Sequence, residues 1–231
     1  MLLEKDGFTV NRTKTFRCAC YLIESNGKRV VIDTSLRFEK RAVLKSILAG
    51  GTRRIDAIFL THCHSDHVAN AQSLSALFRC PIYVSEPGLS MLQNGSCRMP
   101  KGTSPFSRLI SWLEPRIPFY RFSRFPACPL AEPLTDAVVK SYLGEQAALL
   151  NTPGHSADSV SIVLGHSIAL VGDAMVNAMG SVFPTFADEP ETVLTSWKTL
   201  LETNCEVFCP AHGAPIKKER LLAAYQKQKS R

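Results

Sequence analysis

The amino-acid sequence predicts an α+β fold, with strand-rich halves flanked by helices on either side of a proline-broken stretch. Short apolar, β-branched runs of strand length alternate with longer stretches whose apolar residues recur at helical spacing. Asn26-Gly27 and Gly165-His166 each separate two such runs, so hairpins are mixed with strand–helix alternation. At 231 residues, 45% hydrophobic and 20% charged, the chain can bury a substantial core and has no disordered character.

The elements follow in order. Phe16 to Ile23 and Arg29 to Asp33 read as strands joined at Asn26-Gly27, a dipeptide that accepts the positive φ angles of a tight turn. Arg37 to Leu48 reads as a helix with Val43, Leu44, Ile47 and Leu48 on one face, stopped by Gly50-Gly51. Ala57-Ile58-Phe59-Leu60 is a buried strand running into Thr61-His62. A helix from Ala69 to Phe78 and a strand from Ile82 to Val84 come next. Strands are expected near Ala137–Lys140, Ala147–Asn151, Ser159–Leu164 and Ser167–Val171. A helix starts at Asp188 as N-cap, with Pro190 and Glu191 in its first turn, and Val193, Leu194, Trp197, Leu200 and Leu201 form its apolar stripe. Val207-Phe208-Cys209 is a short strand leading to Pro210-Ala211-His212-Gly213, and a basic helix ends the chain.

Between Gly95 and about Pro133 this regularity breaks at Pro100, Pro105, Pro115, Pro118, Pro126 and Pro129. One helical fragment survives there, with Phe106, Leu109, Ile110 and Leu113 at i, i+3, i+4 and i+7, ended by Glu114-Pro115. The segment is too short to hold its own core. It reads as a lid or arm at about 95–133, inserted in one domain spanning 1–231. It also concentrates charge. Between Gly95 and Pro126, Arg98, Lys101, Arg108, Arg116, Arg121 and Arg124 stand against Glu114 alone, a balance of +5 out of the formal +7. Phe106, Trp112, Phe119, Tyr120, Phe122 and Phe125 are interleaved with them. Four readings stay open: aromatics packing the insertion down with solvated arginines, an anion-selecting lid, a homodimer surface, or a membrane-surface contact.

No apolar run approaches the roughly 18 residues of a membrane span, and the start lacks the basic-then-apolar order of an export signal. The expectation is a cytoplasmic protein with no transmembrane segment. Its eight cysteines are then free thiols, mostly buried small hydrophobes. Cys18-x-Cys20 and Cys205-x-x-x-Cys209 lack the spacing of a zinc ribbon.

Chemistry concentrates in Thr61-His62-Cys63-His64-Ser65-Asp66-His67, which sets three imidazoles and a carboxylate directly after a buried strand. Imidazole and carboxylate together suit zinc, iron or manganese. A strand end and tight loop can turn His62 and His64 toward one cation while Asp66 and His67 reach a second. A merely polar surface loop would not hold half of the chain's six histidines.

This segment resembles the His-x-His-x-Asp-His signature of the metallo-β-lactamase superfamily, and later landmarks follow in that family's order. Thr152-Pro153-Gly154-His155-Ser156 resembles the motif completing the first metal site, Val171-Gly172-Asp173 the bridging aspartate, and Pro210-Ala211-His212-Gly213 the histidine closing the second site. The resemblance runs from about Arg17 to His212. It implies a four-layer αββα sandwich, with His62, His64 and His155 on one metal, Asp66, His67 and His212 on the other, and Asp173 between. Asp33 is implied as support behind the metal loop, and Asp66 as a catalytic group that orients water or shuttles a proton. The chain departs from the family's pattern at Val68-Ala69-Asn70, where many hydrolytic relatives, including hydroxyacylglutathione hydrolases, carry glycines.

The expected function is a di-metal hydrolase using a metal-bridging hydroxide on an ester, thioester, lactone or phosphoester, with a small-molecule substrate of anionic character and zinc expected ahead of iron or manganese. The alternative is a mononuclear iron oxygenase of the persulfide dioxygenase type, held by His62, His155 and Asp173. An RNA-processing nuclease has only the +7 charge in its favour, so no nucleic acid partner is expected; a homodimer stays open.

Overall fold

The computed structural model describes residues 2–13, 15–49, 54–113, 116, 123–178 and 180–230. Among these, strands β1 (Leu2–Lys5), β2 (Phe8–Thr13), β3 (Cys20–Ser25), β4 (Lys28–Ile32), β5 (Ala57–Leu60), β6 (Ile82–Val84) and β7 (Glu132–Pro133) form one sheet in that spatial order. A second sheet takes β8 (Ala147–Asn151), β9 (Val160–Leu164), β10 (Ile168–Gly172), β11 (Val207–Pro210) and β12 (Ile216–Lys217) in unbroken sequence from edge to edge. The helices are α1 (Lys40–Leu48), α2 (Ser65–Val68), α3 (Ala71–Phe78), α4 (Glu86–Asn94), α5 (Pro105–Leu113), α6 (Asp136–Leu143), α7 (Pro190–Glu202) and α8 (Lys218–Lys229).

Alternation along the strands builds the layers, because successive side chains leave opposite faces of a sheet. Tyr21, Ile23, Val30, Ile32 and Phe59 face Val160, Ile162, Ile168 and Leu170 across the inter-sheet core. The intervening Leu22, Val31, Ile58 and Leu60 turn the other way and meet Val43 and Ile47 of α1, Leu74 of α3 and Leu92 of α4. On the far side Ala169, Val171 and Phe208 pack against Val193, Trp197 and Leu200 of α7 and Leu221 of α8. The result is the αββα sandwich expected from sequence.

Several elements differ from the sequence reading. Ala137–Lys140 belongs to helix α6, not to a strand: Thr135 caps it by accepting the Val138 N–H, and Asp136 pairs with Lys140 one turn on. The first strand starts at Cys20, and the hairpin β1–β2 precedes it, turning at Asp6 (φ 52°) and Gly7 (φ 80°). Helix α4, strand β12 and the short helix α2 within the His-rich loop were not anticipated, and the helix expected from Ala69 to Phe78 is α3, starting at Ala71. The α7 N-cap is Glu189, while Asp188 instead accepts the Lys101 N–H. Part of the 95–133 stretch is core rather than arm, since Phe125, Cys128 and Ala131 are buried against the first sheet and β7 joins that sheet. Gly50-Gly51, Glu114-Pro115 and Phe119, Tyr120, Arg121 and Phe122 lie outside the described residues.

One edge of the sandwich gathers the strand ends that matter. β4 runs parallel to β5, and β10 runs parallel to β11. β8 and β10 both pair antiparallel with β9, so they share a direction. The carboxyl ends of these strands lead to Asp33, His62, His155, Asp173 and His212. Backbone bonds from Val160 to Thr61 (2.9 Å) and from Ala19 to Ala211 (2.7 Å) tie the two sheets together at this edge.

Candidate metal centre

The loop after β5 is held from beneath by Asp33, a buried residue with φ of 59°, in the left-handed region that costs a non-glycine residue strain. Its Oδ1 accepts the Thr61 N–H at 2.9 Å. Its Oδ2 accepts the Thr61 hydroxyl at 2.8 Å and faces His67 Nδ1 at 2.8 Å. That arrangement puts the His67 proton on Nδ1 and turns Nε2 into the site. The Thr61 hydroxyl in turn lies 3.1 Å from His62 Nδ1, which leaves His62 Nε2 facing inward. From the other side, Asp158 accepts the Cys63 N–H at 2.7 Å, while Cys63 itself is buried in the core.

The two later histidines are fixed by the same device. His155 Nδ1 donates to the Phe186 carbonyl and His212 Nδ1 to the Arg17 carbonyl, each at 2.8 Å. Orienting contacts of this kind set the tautomer and aim the other ring nitrogen. Asp173 follows Gly172, whose φ is 49° and whose Cβ, if present, would lie 2.7 Å from the Thr61 hydroxyl. Glycine is therefore required where the second sheet meets the metal loop. Below the same turn, Trp197 Nε1 donates to the Ala174 carbonyl at 2.6 Å, anchoring it to α7.

All seven candidate ligands come together. Asp173 lies at the centre: its oxygens are 3.5 Å from His67 Nε2, 3.6 Å from His155 Nε2 and 3.3 Å from His212 Nε2. Asp66 lies 3.4 Å from His212 Nε2 and 3.9 Å from His67 Nε2. His155 Nε2 and His64 Nδ1 are 2.8 Å apart. Two bare lone pairs do not tolerate that approach, so a proton or a cation belongs between them. His62, His64 and His155 offer ligand atoms within 4.8 Å of one another, and so do Asp66, His67 and His212, and His62, His67 and Asp173.

The side chains fit a cation on a further count. His62 Nε2, His67 Nε2 and the Asp173 Oδ1 atom are buried without a hydrogen-bond partner. Leaving such groups unpaired costs about 1–3 kcal/mol each, which a metal ligand does not incur. Electrostatics divides the rings into two kinds. Burial, reinforced by the other imidazoles, pushes His62 well below the ordinary histidine value and His64 down to about 3. Burial opposes a charge on His212 as well, yet Asp173 and Asp66 outweigh it and raise that ring to about 10. Asp173, despite burial, is held well below the usual carboxylate range by His212 and His67.

Above the seven residues a cavity of about 490 Å³ opens between Met99, Pro100 and Ile110 on one wall and Val176, Pro184 and Phe186 on another, with Arg17 and Arg98 among its lining. His166, the histidine outside the motifs, is exposed in its turn. Asp158 and Asn70 escaped the sequence reading. Buried Asn70 donates to the carbonyls of Thr34 (2.8 Å) and Leu36 (2.8 Å) and so fixes the strained loop after Asp33. Its only sequence signal was its place three residues after His67. Cys18, buried 3.6 Å from His67 Nδ1, was read simply as a core thiol.

No helix among the described residues is long and apolar enough to cross a membrane. Comparison with known proteins agrees with the fold. The chain is 24% identical to the atrochrysone carboxyl ACP thioesterase of Aspergillus fumigatus over 94% of its own length and 41% of that protein's. It is 24% identical to the beta-lactamase-like protein 2 homolog of Caenorhabditis elegans over 91% of its length and 59% of the relative's. The chain thus spans about half the length of these curated relatives. The solved metallo-beta-lactamase superfamily protein ST1585 from Sulfolobus tokodaii shares the fold with a TM-score of 0.67 at 18% identity, covering 99% of this chain and 88% of that one. The family model described as the metallo-beta-lactamase superfamily matches residues 13–212, from β2 to the histidine that closes the site, and the chain belongs to that superfamily.

Proposed function

We propose that the chain is a metal-dependent hydrolase that holds two divalent cations, zinc before iron or manganese, and cleaves an ester or thioester of a small molecule. The observation that carries this reading is the set of buried, partnerless atoms on His62, His67 and Asp173, converging from two sheets onto one point. His62, His64 and His155 would hold one cation, and Asp66, His67 and His212 the other, with Asp173 facing both groups. Such a pair supplies Lewis acidity and lowers the pKa of water toward 7.

The chain's own groups then do the rest. Asp66, with one oxygen toward His212 and the other toward His67, orients the attacking water and takes its proton. Asp33 and Thr61 keep His67 and His62 from rotating, and the carbonyls of Phe186 and Arg17 do the same for His155 and His212. The apolar walls receive the body of the substrate, and Arg17 and Arg98 favour one that carries negative charge. A thioester is favoured over the lactone and phosphoester alternatives because a relative carries the name thioesterase. The insertion at about 95–133 acts as part of the same catalytic domain, contributing Met99 and Ile110 to the wall. A single-iron oxygenase would need only His62, His155 and Asp173. It leaves the grouping of Asp66, His67 and His212 without a purpose.

The test is metal content of natively purified protein together with turnover of acyl thioesters, esters, lactones and phosphodiesters. Two metals per chain, with thioester cleavage lost on chelation and restored by zinc, is the expected result. One iron per chain with oxygen uptake would overturn it.

A further inference from the structure

The rim of the cavity carries apolar and basic side chains that the metal centre does not use. On one side, α5 turns Phe106, Leu109 and Trp112 outward, at 73%, 52% and 56% exposure, while Ile110 of the same helix lines the cavity. On the other side Phe16 is 83% exposed, next to Arg17, which also lines the cavity. The Phe16 N–H donates to Glu39, which brings exposed Phe38 alongside. Basic groups flank both aromatic sets: Arg108 and Arg116 with α5, Arg37 and Arg41 with Phe38, all exposed. The Arg116 guanidinium lies 4.1 Å from the Trp112 ring centre. Of the described acids on these segments, Glu39 is buried and accepts from Ser35 and Phe16. Asp188 accepts the Lys101 N–H and, with Glu189, lines a groove beside Arg98.

Side chains this apolar are left in water only where something covers them, and charge decides what does. A second copy meeting this face through its own would bring arginines against arginines. Positive charge calls for an anionic partner. Phe, Leu and Trp presented from two separate segments around one opening, with arginines beside them, match the headgroup region of a bilayer, where aromatic rings and the stems of basic side chains both lie favourably.

We propose that this face docks on an anionic lipid surface with the cavity opening toward it. The docking does not rest on the hydrolase reading and is measured without turnover. Sedimentation with vesicles of phosphatidylcholine containing about one third phosphatidylserine is expected to carry the protein down, and pure phosphatidylcholine vesicles are not. Arg108→Gln with Arg116→Gln should weaken binding more than about tenfold, since each basic residue near such a surface counts. Leu109→Ser with Trp112→Ser should weaken it comparably, and both double variants should keep the melting temperature and the metal content of the parent. Equal binding to both vesicle types, binding indifferent to the four substitutions, or no vesicle binding overturns the proposal. So does a concentration-dependent dimer that Leu109→Ser and Trp112→Ser dissolve, because α5 would then be covered by a second copy.

Discussion

His62, His64 and His155 meet without a carboxylate among them, whereas Asp66 and His67, with Asp33 at its back, surround themselves with acidic groups. In the first group burial and the neighbouring imidazoles keep His62 and His64 neutral, and the ring nitrogens of His64 and His155 already converge at 2.8 Å. In the second the carboxylates draw positive charge, whether as protons on His212 or as a cation. In the proposed two-metal centre the first group would thus select by geometry and the second hold by charge. Asp173 joins them, and its three contacts with imidazoles of both groups make it the residue on which the two halves depend together.

Substitutions should reveal that asymmetry. Asp173→Ala is expected to have the largest effect, since it removes the carboxylate facing both groups: kcat/KM should fall about 10⁴-fold and metal content should drop below two. Asp66→Ala spares the three-histidine group, so one metal should remain while turnover falls about 10³-fold. A fully active Asp66→Ala protein would break the distinction. Asp33→Asn acts on His67 directly and on His62 only through Thr61, so it should weaken the second metal about 10–100-fold and the first by less in a competition with a chromogenic chelator. The smallest effect belongs to Asp158→Ala, which frees the buried Cys63 N–H: about 1–3 kcal/mol in urea unfolding, with both metals retained.

A parallel contrast separates what could be read in the chain from what could not. The candidate ligands at strand ends were legible because each follows an apolar strand, so β5, β8, β10 and β11 announced where His62, His155, Asp173 and His212 would emerge. Of their supports only Asp33 was legible, through the resemblance; Asn70 and Asp158 were not, because they act through backbone carbonyls and N–H groups that no residue type reveals. Helix α6 was misread because Ala137-Val138-Val139 resembles a strand, and the cap at Thr135 and the Asp136–Lys140 pair carried less weight than β-branching. Helix α4 was hidden by Glu86-Pro87-Gly88, which looks like a turn. Proline fits the first helical turn, and Gly88 sits where a Cβ would press on the Asp158 carboxylate at 2.8 Å and the Cys63 sulfur at 3.0 Å. The stripe on α5 was found correctly, but its periodicity could not tell burial from exposure, and Phe106 and Leu109 face water.

Anomalous scattering from crystals of the natively purified protein, collected at the absorption edge of the bound metal, tests the paired groups most directly. Two peaks are expected, one among His62, His64 and His155 and one among Asp66, His67 and His212, with the Asp173 carboxylate between them. One peak alone, or density elsewhere with these side chains bonded only to each other, would contradict a centre built for two cations.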